Sequence, residues 1–309
     1  MEIMTRRSSS PVKSMPFALA VVASLGLLVA STANASFVEL GSAGHFTALS
    51  TNVGTSGADV GIGSADTTIT GDVGLGPYSG GTAEKATIHG NFYVDSTSTT
   101  SIHPDLIVTG STFLNQNLSG AVADAFAASN FFQSLAPTQT YGAISGDTTF
   151  TGGAGRNVFS LSSVNEQGTI TIVGSASSQF VFNISGGFTL NGGSIVLSGG
   201  VTPDNILFNL NGPGDAVNIY KPVGSAYGIF LAPQRDIILD KAILVGAVIG
   251  GGDDHKFVIH SGATLISAVP EVTPSSVIFG FIGLIAAFGS RRVLMTRALA
   301  LVAQRRAGG

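Results

Sequence analysis

Apolar residues in this chain recur in short runs, alternating with Ser, Thr, Asn and Gly or merging into near-continuous apolar stretches. Such runs cover Gly168–Val173, Gln179–Ile184, Phe188–Leu197, Asn205–Leu210, Tyr227–Leu231, Asp236–Leu239, Ala242–Ile249 and Phe257–His260. Period-2 alternation predicts strands, and the more continuous runs predict strands covered on both faces. Glycine pairs and triples such as Gly192-Gly193, Gly199-Gly200 and Gly250-Gly251-Gly252 punctuate them as turns. One segment breaks this pattern. Ser119 to Ser134 is alanine-rich, spaces Val122, Ala125, Phe126 and Phe132 for a helix, and is followed by Pro137.

The early strands repeat. Ile69-Thr70-Gly71-Asp72-Val73, Ile88-His89-Gly90-Asn91-Phe92 and Val108-Thr109-Gly110-Ser111 place glycines 19 and 20 residues apart. A fourth match, Ile144-Ser145-Gly146-Asp147, lies 36 residues further on. Removing the 16 residues of the helix from that interval restores the coil length, which predicts a helix inserted between successive coils of a solenoid. Each coil would turn an apolar residue inward above its counterpart in the next, with Ile69, Val73, Ile88, Phe92 and Val108 in the interior.

The two ends differ from this body. Arg6, Arg7 and Lys13 precede an apolar stretch from Met15 to Ala30, and Ala33-Asn34-Ala35 gives a small-x-small exit. Residues 1–35 thus read as a signal peptide, recognised by signal peptidase through Ala33 and Ala35. Residues 269–290 read as a sorting motif and transmembrane helix, because Val272 to Ser290 carries no charge. Residues 291–309 form a basic tail with Arg291 and Arg292 at its start, which places that tail in the cytoplasm and residues 36–270 outside. The body, 36–268, is then a single domain holding the helix at about 119–134.

Charge sharpens this division. The whole chain carries −4, yet residues 36–270 hold six bases against sixteen acids, a net of −10. An acidic domain repels nucleic acid and anionic lipid. There is no cysteine, which excludes disulfides, thiolate zinc sites and cysteine nucleophiles, and no tryptophan.

Candidate chemistry is sparse. The histidines are His45, His89, His103, His255 and His260, none in a helical metal-binding pattern. His89 takes the slot that Thr70 and Thr109 hold in neighbouring coils. Asp253-Asp254-His255 lacks the oxygen count of a calcium loop, and Asp236 and Asp240 lie about 13 Å apart if they share a strand. No catalytic, cofactor-binding or metal-binding residue is expected, and the chain reads as a non-enzyme. The remaining pattern is Thr-x-Thr, at Thr68/Thr70, Thr97/Thr99, Thr149/Thr151 and Thr169/Thr171. Alternate strand residues share a face, so each pair could contribute to a water-ordering surface. The pairs do not recur at the coil period of about 20 residues, and Asp72, Glu84, Lys85 and Asp95 lie close to them in sequence.

Leu40-Gly41-Ser42-Ala43-Gly44-His45-Phe46, the run Ile69 to Pro77 and the alanine-rich helix resemble the start of the bacterial ice-binding-like β-solenoid family. Asn205 to Leu210 and Gly228 to Pro233 resemble its second half, and also the choice-of-anchor exported domains. The resemblance implies an all-β fold, a right-handed parallel β-helix with one long accompanying α-helix. Val269-Pro270-Glu271, Pro274, the apolar span and Arg291-Arg292 are similar to the PEP-CTERM sorting signal of Gram-negative bacteria. That likeness implies cleavage by an exosortase near Pro270 and Glu271, although Val272 stands where a second proline is usual. The expected role is therefore an exported structural or adhesive protein of the cell surface or extracellular matrix. It would be anchored transiently in the inner membrane, with an extracellular polysaccharide as a candidate partner. Ice binding through the eight threonines is the alternative, with weak or no activity expected, and a polysaccharide-active β-helix enzyme is the distant third.

Overall fold

The structure, a computed structural model, describes residues 39–54 and 58–268. The signal-peptide, sorting and transmembrane expectations fall outside them, as do Ala33, Ala35, Pro270, Glu271, Arg291 and Arg292. The chain winds into a parallel β-solenoid of about ten turns with one α-helix alongside. Each full coil contributes strands to three faces.

The inside of the stack explains why these residues form strands. On the first face Phe159, Phe182, Phe208 and Phe230 lie in register and stack, with centroids 5.1, 4.9 and 4.7 Å apart. Val248, Ala48, Val73 and Phe92 extend the same row. On the second, Leu190, Ile219, Leu239, Ile259, Ile62 and Ala83 form another row. On the third, Leu244, Leu265, Ile69, Ile88 and Val108 do so. Ile69, Ile88, Val73 and Phe92 are fully buried, and Val108 packs half-buried against them. Placing apolar residues above one another at about 4.8 Å packs them into one continuous core. At one end Tyr141 closes the core, its ring edge-on to Phe150 at 5.1 Å.

The order of coils departs from the sequence-based expectation. The coils of Gly110 and Gly146 are not neighbours. The strand Ala48–Ser50 pairs with Val73–Leu75 on one side and with Ile243–Gly250 on the other. Likewise Ala58–Thr70 pairs with both Ser79–His89 and the C-terminal strands Phe257–His260 and Thr264–Ile266. The first coil of the N-terminal half therefore docks on the last coil of the C-terminal half. The coils around Gly110 and Gly146 stand at opposite ends of the stack, and the helix carries the chain between them.

That helix, α1 (Ser119–Ser134), spans about 24 Å at 1.5 Å per residue. Ala121, Ala125, Ala128 and Phe132 pack with Leu118 against two outward rows of the first face, one of Val158, Val181, Leu207 and Ile229, the other of Leu231, Ile249 and Leu49. The small residues let the helix lie close. Two buried asparagines seat it: Asn209 Nδ2 donates to Ser129 O at 3.0 Å, and Asn183 Nδ2 to Phe132 O at 2.7 Å. A 3₁₀ helix, Gly41–His45, covers the adjoining part of this face. The two helices thus cover most of the first face, leaving Phe113 and Leu114 exposed at its N-terminal end.

Candidate functional site

The third face is open, and the structure assembles on it six of the eight sequence-predicted threonines. In the C-terminal half Thr149 lies beside Thr171, and Thr171 beside Val196. In parallel rows Thr151 neighbours Val173, which neighbours Ser198, and Thr169 neighbours Ser194. Beyond a single bond from Ile195 N to Ser225 O at 3.2 Å, the face continues through Tyr227, Val245, Ile266, Thr70 and His89. A second row beside it runs Ile243, Thr264, Thr68, Thr87 and Ile107. Between the two rows the intervening residues, Ile170, Leu244, Leu265, Ile69 and Ile88, point into the core and are buried.

Strand geometry sets the lattice of this surface. Coils repeat at about 4.8 Å along the axis, and outward residues on one strand stand about 6.6 Å apart. The two rows offer hydroxyls from Thr and Ser and methyl-bearing side chains from Thr, Val and Ile. Val196, Ile243, Ile266 and Ile107 are 44, 45, 37 and 57 % exposed, so apolar atoms alternate with hydroxyls at the surface. No Asp, Glu, Lys or Arg occurs among the row residues. The charges that lie near the threonines in sequence occupy corners. Lys85 has φ +52° at a bulge where the strand turns. Asp72 follows Gly71 (φ +108°) and accepts the Asn91 amide at 2.8 Å. Asp147 accepts the Thr169 amide, also at 2.8 Å.

The remaining pair, Thr97 and Thr99, lies off this face. Thr97 sits in the turn after Phe92–Asp95, where its Oγ1 donates to Asp95 and accepts the Tyr78 amide at 3.1 Å. The second face also differs. Its row Asn165, Thr189, Asn218, Ile238 and Val258 is flanked by Tyr220, Asp240 and His260 on one side and by Asp236 and Lys256 on the other.

The titratable candidates weighed in the sequence are engaged separately. His255 Nδ1 contacts Asp236 Oδ1 at 3.0 Å, and the same oxygen accepts the Lys256 amide at 2.8 Å. Asp240 faces His260 at 4.0 Å, so Asp236 and Asp240 do not converge. Asp253 accepts the Val53 amide at 3.2 Å.

The threonine pairs look scattered in sequence because coil length varies. Residues adjacent on the face are separated by 22 positions (149 to 171), 25 (171 to 196), 18 (227 to 245), 21 (245 to 266) and 19 (70 to 89). The row members Ser194, Val196, Ile243, Val245, Thr264, Ile266, Thr87 and Ile107 escaped notice. Their signal is one small or branched residue on each side of a buried Ile or Leu.

The family profile that matches the chain is ice-binding-like, over residues 53–234. No curated protein matches. Among solved structures, the fold is similar to a glycosylated ice-binding protein from an Arctic yeast, at 25 % identity and TM-score 0.55, covering 76 % of this chain and 95 % of that one. It is also similar to an ice-binding protein from an Antarctic biological consortium, at 24 % identity and TM-score 0.50, covering 74 % and 90 %. A domain of an ice-binding protein from Shewanella frigidimarina aligns at 17 % identity and TM-score 0.50, covering 74 % and 96 %.

Proposed function

Since the chain belongs to the ice-binding-like family, we propose that it binds ice through the third face of its solenoid. This membership corrects the expected structural or adhesive matrix role and reverses the order of the two binding readings. In the sequence, threonine scatter and nearby charge weigh against ice. Variable coil length accounts for the first, and corner placement removes the second.

The observation that supports the reading is the pair of adjacent rows, free of Asp, Glu, Lys and Arg, that run along one face over two abutting parallel sheets. Ice is an uncharged, extended lattice of hydrogen-bonding sites. A protein meets it by many weak contacts at a fixed repeat rather than by a pocket. Threonine serves both halves of that task, because its hydroxyl bonds water while its methyl limits where water can sit. Charged groups would hold their own strongly bound hydration shell and disrupt such an array. The covered first face and the charge-flanked second face lack this arrangement. Binding of this kind needs no catalytic group, and no reaction is proposed.

Thermal hysteresis and ice-recrystallisation assays on the purified chain test this reading. Thr171→Tyr and Thr68→Tyr, one in each half of the face, are expected to abolish most activity. Thr97→Tyr is expected to retain it. An inactive wild type, or full activity in both face variants, would overturn the assignment.

Export and sorting rest on the two chain ends. The basic residues before Met15, the Ala33-Asn34-Ala35 exit and the Pro270-Glu271 motif with its apolar span and arginines support secretion. They also support processing by signal peptidase and an exosortase, with a transient membrane stage. Among the described residues no helix is long and apolar enough to cross a membrane, and residues 272–290 lie outside them. Mass spectrometry of secreted material should find chains beginning near Ser36 and lacking 291–309. Intact tails there would refute the sorting reading.

A further inference from the structure

At the open end of the N-terminal half, three side chains with metal-ligating atoms converge. Ala83 pairs with Ile102, and the His103 amide donates to Ala83 O at 3.0 Å, so Glu84 and His103 stand side by side on successive coils. A turn then brings Asp105 back toward them. Leu106 N donates to His103 O at 3.1 Å, and Pro104 holds the second position, where its ring presets φ. One ligand atom from each of Glu84, His103 and Asp105 lies within 4.8 Å of the others.

Two contrasts single out this group. In the other close histidine–carboxylate pairs the imidazole is taken: His255 Nδ1 contacts Asp236, which also accepts the Lys256 amide, and His260 Nδ1 contacts Ser261 Oγ. By comparison His103 Nδ1 stands 3.5 Å from Glu84 Oε2, beyond a good hydrogen bond. The other charged contact to the group is Lys85 Nζ, 3.8 Å from Glu84 Oε1, on a side chain 55 % exposed and free to move.

We propose that Glu84, His103 and Asp105 bind a divalent transition-metal ion and so tie the last N-terminal coil to its neighbour. One imidazole nitrogen and two carboxylate oxygens form a borderline donor set suited to zinc or copper. Three protein ligands with water in the fourth position complete a tetrahedral zinc site. In such a site ligand atoms about 2.0–2.1 Å from the metal stand about 3.3 Å apart, within reach of small rotations of exposed carboxylates. Calcium, which needs six or more oxygens, is excluded by the same count. The ligands span positions 84 to 105, which hid them from motif reading. Thr87 and Ile107 belong to the same two coils, so a bound ion would brace that edge of the third face. The site stands or falls independently of ice binding.

Isothermal titration of the full-length chain, without a histidine tag and stripped by chelator, with zinc chloride provides the test. One equivalent of zinc should bind, copper more tightly and calcium not at all. His103→Ala and Glu84→Gln should each weaken zinc binding by about tenfold or more, since even outer contacts of metal ligands are worth about 10–100-fold. His255→Ala should leave it unchanged. Absence of zinc binding at micromolar protein, or binding that survives His103→Ala, would overturn the proposal.

Discussion

Among the described residues Arg235 forms no ion pair; it is buried where the first and second faces meet and only 1 % exposed. Its Nε donates to Gly212 O at 2.9 Å, Nη1 to Gly186 O at 2.6 Å and Asp215 O at 3.2 Å, and Nη2 to Ser185 O and Asn211 O, both at 3.0 Å. These carbonyls belong to turns of the two preceding coils, so one side chain ties three coils together. Burial lowers the guanidinium pKa from its ordinary value, with the Asp215 charge opposing the shift. Arginine nonetheless stays protonated, and its fixed fork matches this ring of acceptors. Arg235→Met keeps the length but removes every donor. An unsatisfied buried acceptor costs about 1–3 kcal/mol, so five would cost at most about 5–15 kcal/mol, and less here because Ser185 and Asp215 are exposed and Gly186, Asn211 and Gly212 half-buried, within reach of water. The desolvation penalty of the charge is recovered at the same time, which points to the lower end, about 5 kcal/mol. That is comparable to the whole stability of a typical domain, about 5–15 kcal/mol. Arg235→Lys offers at most three donors and leaves about two carbonyls unbonded, for about 2–6 kcal/mol. Urea denaturation followed by circular dichroism measures both. A cost below about 1 kcal/mol for Arg235→Met would show that water or backbone can replace the ring, and the reasoning would fail.

Other consequences can be checked with the same denaturation assay. Ile88→Ala, buried between Ile69 and Val108, should cost about 2–5 kcal/mol through the cavity it leaves. Asn209→Leu removes its bonds to Ser129 and leaves the buried Asn183 Oδ1 without this donor, and should cost about 1–3 kcal/mol, with faster amide exchange in α1 measured by mass spectrometry. Gly74→Ala should destabilise the docked 3₁₀ helix, because a Cβ there would stand 2.7 Å from Leu49 and 2.9 Å from Phe46. Bonds from the Ser42 hydroxyl and amide hold the Asp124 carboxyl below its ordinary pKa. A depressed carboxylate contributes stability at neutral pH that is lost as pH falls through the folded value, so Asp124→Asn should flatten the acid limb of the stability curve.

The repeat of Ile69, Ile88 and Val108 beside their glycines was enough to reveal coils, because an inward position must recur wherever identical corners recur. The helix was equally legible, since its alanines, Phe132 and Pro137 form a local signal. The order of the coils was not. Removing the helix from the interval between Gly110 and Gly146 restored a perfect period, yet those coils lie at opposite ends of the stack. Nothing local distinguishes a strand that pairs with the next coil from one that pairs with a strand near the other end of the domain. That choice depends on which exposed edges fit, and Ala48–Ser50 settles between Val73–Leu75 and Ile243–Gly250 only in the assembled solenoid. The candidate face follows the same division. Sequence alone determined that Thr68, Thr70, Thr149, Thr151, Thr169 and Thr171 point outward, because strand residues alternate. Tertiary structure decided that they share one surface and that Thr97 and Thr99 do not. Turns of unequal length absorb the irregular spacing, while hydrogen bonds between coils keep the rows in register.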